Sequence, residues 1–406
     1  MSLSTLSLAH CGDCLQKALV SSAKCIDSLF MKAVMYFLPK LNIPKVEDDT
    51  NKSNKNYTCV FVHGLAGWGS YEFYNWFVPY WGTFGGDLMK YLKARGMDSR
   101  AASVDPTGST WDRACELFAQ LTGTRVDYGK EHSKRFGHER FGKDYSKNPL
   151  LDDWSSEKKI NLFGHSFGGA TIRMLASLMA YGSKEEQAVT DKNDISPLFT
   201  GGKADWIYSI TTLASPHNGT NIFLMGRDVE KNGGSLIDVL ETKLMFFISG
   251  ENKSGRVYED SALYELDIDG AVEVNKRIET VPSIFYFSYA CSKCCRDEDG
   301  KWTAESGIEP LFMIFAKNLV TFAGTSPKGN VFDESWQEND GLVNTVSEKA
   351  PPNEPQKEYD EDLVEPGVWN VMPVYHGDHT SLQGGLLFCN NIRPFFVKHI
   401  KLINAL

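Results

Sequence analysis

The run KINLFGHSFGGATIRMLASLMAYG, residues 159–182, constrains the fold more than any other stretch of this chain. It joins a short apolar, buried-strand pattern to a helix-like pattern with no loop between them. A strand-to-helix turn this tight holds its central residue in strained backbone geometry. The residues two before and two after it must therefore be small, and Gly164 and Gly168 meet that need. Such a turn lifts the Ser166 hydroxyl above a sheet, at a helix N-terminus. This is the nucleophile elbow G-x-S-x-G in its strand–turn–helix setting.

The neighbouring segments repeat the alternation. YTCVFVHG, SRAASVDP, DWIYSITTLASP and SIFYFSYA read as strands, and the stretch before Asp340 regains strand character. GGDLMKYLKARG and STWDRACELFAQL read as amphipathic helices, the second capped by Ser109 or Thr110. Alternating strands and helices predict an α/β fold with a mostly parallel sheet and helices on both faces. About 218–280 and 290–335 lose this regularity and read as insertions, while the proline-rich acidic run 348–367 reads as a surface loop. The body of the molecule spans 57–406. Residues 1–56 read as an amphipathic helix over roughly 14–38, which packs on the body or anchors at an interface, followed by a polar linker.

The net charge of −10 argues against nucleic acid or an acidic lipid surface as an electrostatic partner. Lys17, Lys24, Asp27 and Lys32 interrupt the N-terminal apolar run, and the first ten residues carry no Lys or Arg. Neither a membrane span nor a standard signal peptide is expected there. The nine cysteines include Cys11/Cys14 and Cys291/Cys294/Cys295. These could form a thiolate zinc site or one disulfide, but free thiols are the simpler expectation.

A serine nucleophile needs a base, and the base needs an acid to orient it. In the hydrolase order both follow the serine. Of the downstream histidines, His217 reads as a structural loop residue and His399 as part of the terminal helix. His376 and His379 share the loop VYHGDHTSL, where a base belongs. ENDGLVN offers Asp340. The two oxyanion donors should be the Phe167 N–H, just after the serine, and the Leu65 N–H in VHGLAGWG. His63 reads as a structural residue beneath that loop.

These stretches together resemble the bacterial true lipases of the Geobacillus and staphylococcal type, family I.5. The likeness runs through roughly 57–400 and is carried by VHGLAGWG, STWDRACELFAQLTGTRVDYG, FGHERFG, GHSFGG, TTLASPHNGT, ENDGLVNT and GVWN. The resemblance implies an α/β-hydrolase fold with a helical lid and an ester hydrolase, most simply a triacylglycerol lipase. It implies a triad of Ser166, Asp340 and His379, with His379 chosen over His376 because it follows Asp378. A short-chain or polyester-active esterase is the alternative, as is a hydrolase-fold binding protein without chemistry.

The same resemblance turns HSKRFGH into part of a structural zinc site, with Asp112, His132 and His138 as ligands. The residues alone would leave those histidines on the surface. The family's fourth ligand lies in a segment of the form LDQWG, not identified here downstream of the serine, so Asp260, Glu259 or water is expected to complete the site. The family's calcium carboxylates fall on Ser381 and Leu386 of HTSLQGGLL, so no Ca2+ is expected there. The lid falls at about 220–250, with SLIDVLETKLMFFI as its helix or as a helix packed in the core. This segment is shorter than in the family, which favours smaller or bulkier esters. The resemblance also implies export and possible contact with a lipid interface.

Overall fold

The structure, a computed structural model, describes residues 55–224 and 257–406. The N-terminal helix, the Cys11/Cys14 pair and nearly all of the lid segment lie outside the described residues.

Seven strands form the central sheet: β1 (Thr58–Val62), β2 (Ser99–Ala102), β3 (Ile160–His165), β4 (Ile207–Leu213), β5 (Phe285–Tyr289), β6 (Gln356–Glu358) and β7 (Trp369–Val371). Their order is β6-β7-β5-β4-β3-β1-β2, and every neighbouring pair is parallel. Alternation along the strands explains the burial of both faces. Val60, Val62 and Leu162 point into one core. Phe61 and Phe163, stacked at 4.6 Å, point into the other.

Among the described residues ten α-helices surround the sheet or extend from it: α1 (Leu88–Lys93), α2 (Thr110–Thr122), α3 (Lys130–Phe136), α4 (Phe167–Tyr181), α5 (Lys184–Val189), α6 (Ala262–Leu266), α7 (Ile268–Asn275), α8 (Pro310–Leu319), α9 (Thr345–Lys349) and α10 (Arg393–Ala405). Leu117 of α2 joins Ile172 and Leu175 of α4 in the first core. Leu88 and Leu92 of α1 join Phe396 and Ile400 of α10 in the second. The expected α/β-hydrolase arrangement, with helices on both faces, is what forms. Ser109 is the cap of α2, and its hydroxyl accepts from the Asp112 N–H at 3.2 Å.

Two expectations need correction. The stretch before Asp340 holds only the two-residue strand Val331–Phe332 and a 3-10 turn, because alternate turn residues there bind their own backbone, as Asp333 does to Ser335 N. The run 348–367 is not wholly a surface loop. It begins inside α9, with Glu348 fully buried, and contributes β6 to the sheet edge. Among the described residues no helix is long and apolar enough to cross a membrane.

Candidate active site

Because the whole sheet is parallel, the chain leaves every strand at the same edge, and the candidate residues gather there. Ser166 follows β3 and precedes α4 with φ 55°, a left-handed conformation that L side chains rarely adopt. The glycines around it are needed for close approach. A Cβ on Gly164 would meet the Gly168 carbonyl carbon at 2.6 Å, and one on Gly168 would meet Val62 O at 2.3 Å.

His379 Nε2 lies 2.9 Å from Ser166 Oγ, and His379 Nδ1 lies 2.6 Å from Asp340 Oδ2. Asp340 Oδ1 accepts from the Leu342 and Val343 N–H groups at 2.9 and 2.8 Å, and the Asp340 carbonyl accepts from the His379 N–H. Burial alone would raise the Asp340 pKa, but His379 beside it and these donors hold it below the ordinary carboxylate value. The structure thus brings Ser166, His379 and Asp340 together. His376 stands apart, exposed beside Lys293 and Glu305. His217 and His399 are buried and hydrogen-bonded to Thr212 and Thr211, respectively.

The main chain around the site is held by His63, as expected of a structural residue beneath the loop, and by Arg113, which sequence reading did not single out. The Val104 N–H donates to His63 Nε2, so His63 Nδ1 carries the proton and donates to the Gly64 carbonyl at 2.9 Å. The Arg113 guanidinium donates to the carbonyls of His63 and Asp105, reaches Gly64 O at 3.5 Å, and lies 5.1 Å from the Phe167 ring centre. A trans peptide points its C=O and the following N–H in opposite directions. With the Gly64 carbonyl turned toward His63 and Arg113, the Leu65 N–H faces away from them. Burial lowers the Arg113 pKa to about 10, which still leaves it a cation at neutral pH.

A second relay reaches His379. The Gly64 N–H donates to the Tyr80 hydroxyl, which sits 2.6 Å from His165 Nδ1. His165 Nε2 donates to the His379 carbonyl at 2.8 Å. Donation to a carbonyl fixes the Nε2–H tautomer, so Tyr80 O–H is the donor to Nδ1. Burial, and then the neighbouring His379, lower the His165 pKa to about 3, keeping it neutral.

The segment after His379 is tied down by a carboxylate. Glu309 Oε1 accepts from the consecutive N–H groups of Leu386, Leu387 and Phe388, at 2.7, 2.7 and 2.9 Å. Its own N–H donates to Asp378 Oδ2 at 2.9 Å, and Ser381 Oγ donates to Asp378 Oδ1. A cavity of about 230 Å³ opens over Ser166 and His379. Among the described residues its wall is mainly apolar, with Leu65, Trp68, Phe223, Leu266, Phe312 and Leu386 prominent.

A second cluster lies at the start of α2. Asp112, His132, His138 and Asp260 offer ligand atoms within 4.8 Å of one another. Asp260 therefore joins the three nominated residues, whereas Glu259 is exposed. His132 Nε2 is 3.0 Å from Asp112 and 3.3 Å from Asp260, and His138 Nε2 is 3.9 and 3.5 Å from the same pair. A tetrahedral zinc with bonds of roughly 2.0–2.1 Å separates its ligand atoms by about 3.3 Å. His138 Nδ1 donates to the Glu139 carbonyl at 2.9 Å, so its buried Nε2 turns a lone pair toward the carboxylates and makes no hydrogen bond. That arrangement is repulsive without a cation. The donor set fits a divalent metal ion. The six described cysteines are free, and Cys291, Cys294 and Cys295 differ in exposure, with only Cys295 at the surface.

A profile of the family described as "Lipase-like, C-terminal domain" matches residues 54–231 and 247–388. A lipase of Staphylococcus epidermidis is 34% identical over 373 residues, covering 84% of this chain and 52% of that protein. A Staphylococcus hyicus lipase sequence is 33% identical over 377 residues, with 84% and 55% covered. The chain thus spans about half the length of the curated relatives it matches. Among solved structures, EstA from Clostridium botulinum superposes with a TM-score of 0.74 at 31% identity, covering 91% of this chain and 93% of that one. Staphylococcus hyicus lipase superposes with 0.71 at 29% identity, covering 89% and 99%. This chain belongs to the lipase-like family, on the α/β-hydrolase fold.

Proposed function

We propose that the protein is a carboxylic ester hydrolase of the lipase type that works through an acyl-enzyme on Ser166. One observation carries this reading: the unbroken Ser166–His379–Asp340 relay at the mouth of an apolar cavity. Ser166 Oγ attacks the acyl carbonyl carbon as His379 Nε2 takes its proton. The same proton goes to the alkoxide oxygen as the C–O bond breaks and the alcohol leaves. Water, deprotonated by His379, then attacks the acyl-enzyme, and the carboxylic acid departs as Ser166 regains its proton. Asp340 holds the Nδ1–H tautomer, and the Leu65 and Phe167 N–H groups receive the oxyanion.

In this reading Asp112, His132, His138 and Asp260 hold a structural Zn2+ that ties α2, the end of α3 and the turn before α6 together. No Ca2+ is assigned to the Ser381 and Leu386 positions, which lack the carboxylates such an ion needs. The mainly apolar wall over Ser166 suits the acyl chain of an ester. Exposed Phe73, Trp76 and Phe77 support contact with a lipid surface.

The test is hydrolysis of p-nitrophenyl esters from acetate to palmitate, with and without an emulsion, by wild type and Ser166→Ala. Wild type should turn over and label with a fluorophosphonate. Ser166→Ala should lose about 10³-fold or more at unchanged melting temperature. Equal activity in the two proteins, or an unlabelled wild type, refutes the reading.

A further inference from the structure

Nothing in the triad scheme uses Glu348, yet it is the acidic side chain most intimately placed against the triad. It sits on α9, eight positions after Asp340, and is 0% exposed. Its Oε2 accepts from the Cys291 N–H at 2.5 Å. Its Oε1 is buried with no N–H directed at it. The Glu348, Asp340 and His379 polar atoms lie within 4.8 Å of one another, so the two buried carboxyls are close neighbours.

Two ionised carboxyls cannot share a dry contact, so one of them holds a proton. The donors decide which. Asp340 receives three N–H groups, from His379, Leu342 and Val343, whereas Glu348 receives one. The negative charge therefore settles on Asp340.

We propose that Glu348 is a positioning residue of the triad, a neutral acid whose O–H donates to Asp340 and weakens that carboxylate's hold on the His379 proton. This rests on the triad reading above. Burial, and then the charge of Asp340, drive the Glu348 pKa well up, in keeping with a neutral acid. The other titratable groups facing it are His379, Glu338 and the Cys291 thiol. A donor to Asp340 lowers the basicity of the Asp–His pair. The imidazole then stays neutral, and able to take the serine proton, to lower pH than it would without Glu348.

The sign separates this from the opposite assignment. If Glu348 is neutral, Glu348→Gln keeps a donor and leaves the His379 titration within about 0.3 pH unit of wild type. Glu348→Leu removes the donor and raises the midpoint by about half a unit or more. If Glu348 were an anion, both substitutions would remove a negative charge and lower the midpoint. The experiment is histidine-selective NMR titration of His379 in the three full-length proteins, with kcat/KM–pH profiles of a p-nitrophenyl ester alongside. The acid limb should move with the NMR midpoint while KM holds. Lowered midpoints, or no movement in Glu348→Leu, overturn the proposal.

Infrared difference spectroscopy gives a readout that needs neither turnover nor the leucine variant. Wild type at neutral pH should show a buried protonated carboxyl band that Glu348→Gln lacks. Absence of that difference also overturns the proposal. Failure of the wild type to hydrolyse esters would instead strike at the proposed function, while these spectra would still report on Glu348.

Discussion

Replacing Arg113 with methionine isolates one buried cation that braces the Leu65 loop and borders Phe167. Methionine fills most of the stem volume and supplies no donor. The carbonyls of His63 and Asp105 then lose the guanidinium that reaches them, whereas Gly64 O keeps its bond from His63 Nδ1. The buried His63 carbonyl left unsatisfied costs about 1–3 kcal/mol and the half-buried Asp105 carbonyl less, so the loss is about 2–4 kcal/mol. The relief of no longer burying a guanidinium offsets part of this, but the acceptors it served remain. At about 1–1.5 °C per kcal/mol for a chain of this length, melting should fall by roughly 3–6 °C. Below that transition, with the Gly64–Leu65 peptide still held by His63, loosening of the loop should lower kcat by about 10-fold, less than the roughly 10²-fold of losing an oxyanion donor outright. Arg113→Lys should fall between, because a single ammonium cannot span the carbonyls and Thr171 Oγ1 together. Scanning calorimetry and ester hydrolysis measure both effects. A methionine variant that melts within 1–2 °C of wild type (a shift well below that estimate) and turns over normally would refute the bracing argument.

Two further outcomes follow from other buried groups. Elemental analysis after gentle purification should find about one zinc per chain. Chelation should lower the melting temperature, and His138→Ala should abolish both the metal and the chelator effect. Burial, and then Asp105, raise the Glu116 pKa from 4.5 to about 7. A carboxyl that binds its proton more tightly when folded makes the folded state lose stability as pH climbs from about 4.5 to about 7. Urea unfolding at pH 5 and pH 7.5 (either side of that window) should show the stability of Glu116→Gln relative to wild type rising with pH, by up to about 3 kcal/mol.

The legible parts of this molecule were those written in local pattern. The short continuous apolar runs and the helical runs located β1 to β5, α1, α2 and α4, because each element announces its own burial. Ser166 was readable because its turn demands glycines at fixed offsets. The choice of His379 over His376 came from resemblance, and only the fold puts the latter at the surface. What sequence could not supply were partners that meet across the chain. Asp260 was named only as one of three options, because no spacing rule connects its downstream turn to His132. Arg113, next to the nominated Asp112, binds main-chain carbonyls, and a carbonyl leaves no signature in residue type. Glu348 opens a polar, proline-rich run and was read with it, although α9 turns that one side chain inward. The segment around 225–256 lies outside what the structure describes, so the lid helix stands as an expectation.

Residues 165 and 166 are consecutive, yet one holds the backbone of position 379 and the other meets its ring. A single peptide unit at the tip of β3 is therefore a common mount for both candidate groups. When the sheet flexes, hydroxyl and imidazole ride together, and their separation is insulated from distortions that shift the surrounding loops. Tolerance to change in those loops is accordingly greatest where they do not touch this mount.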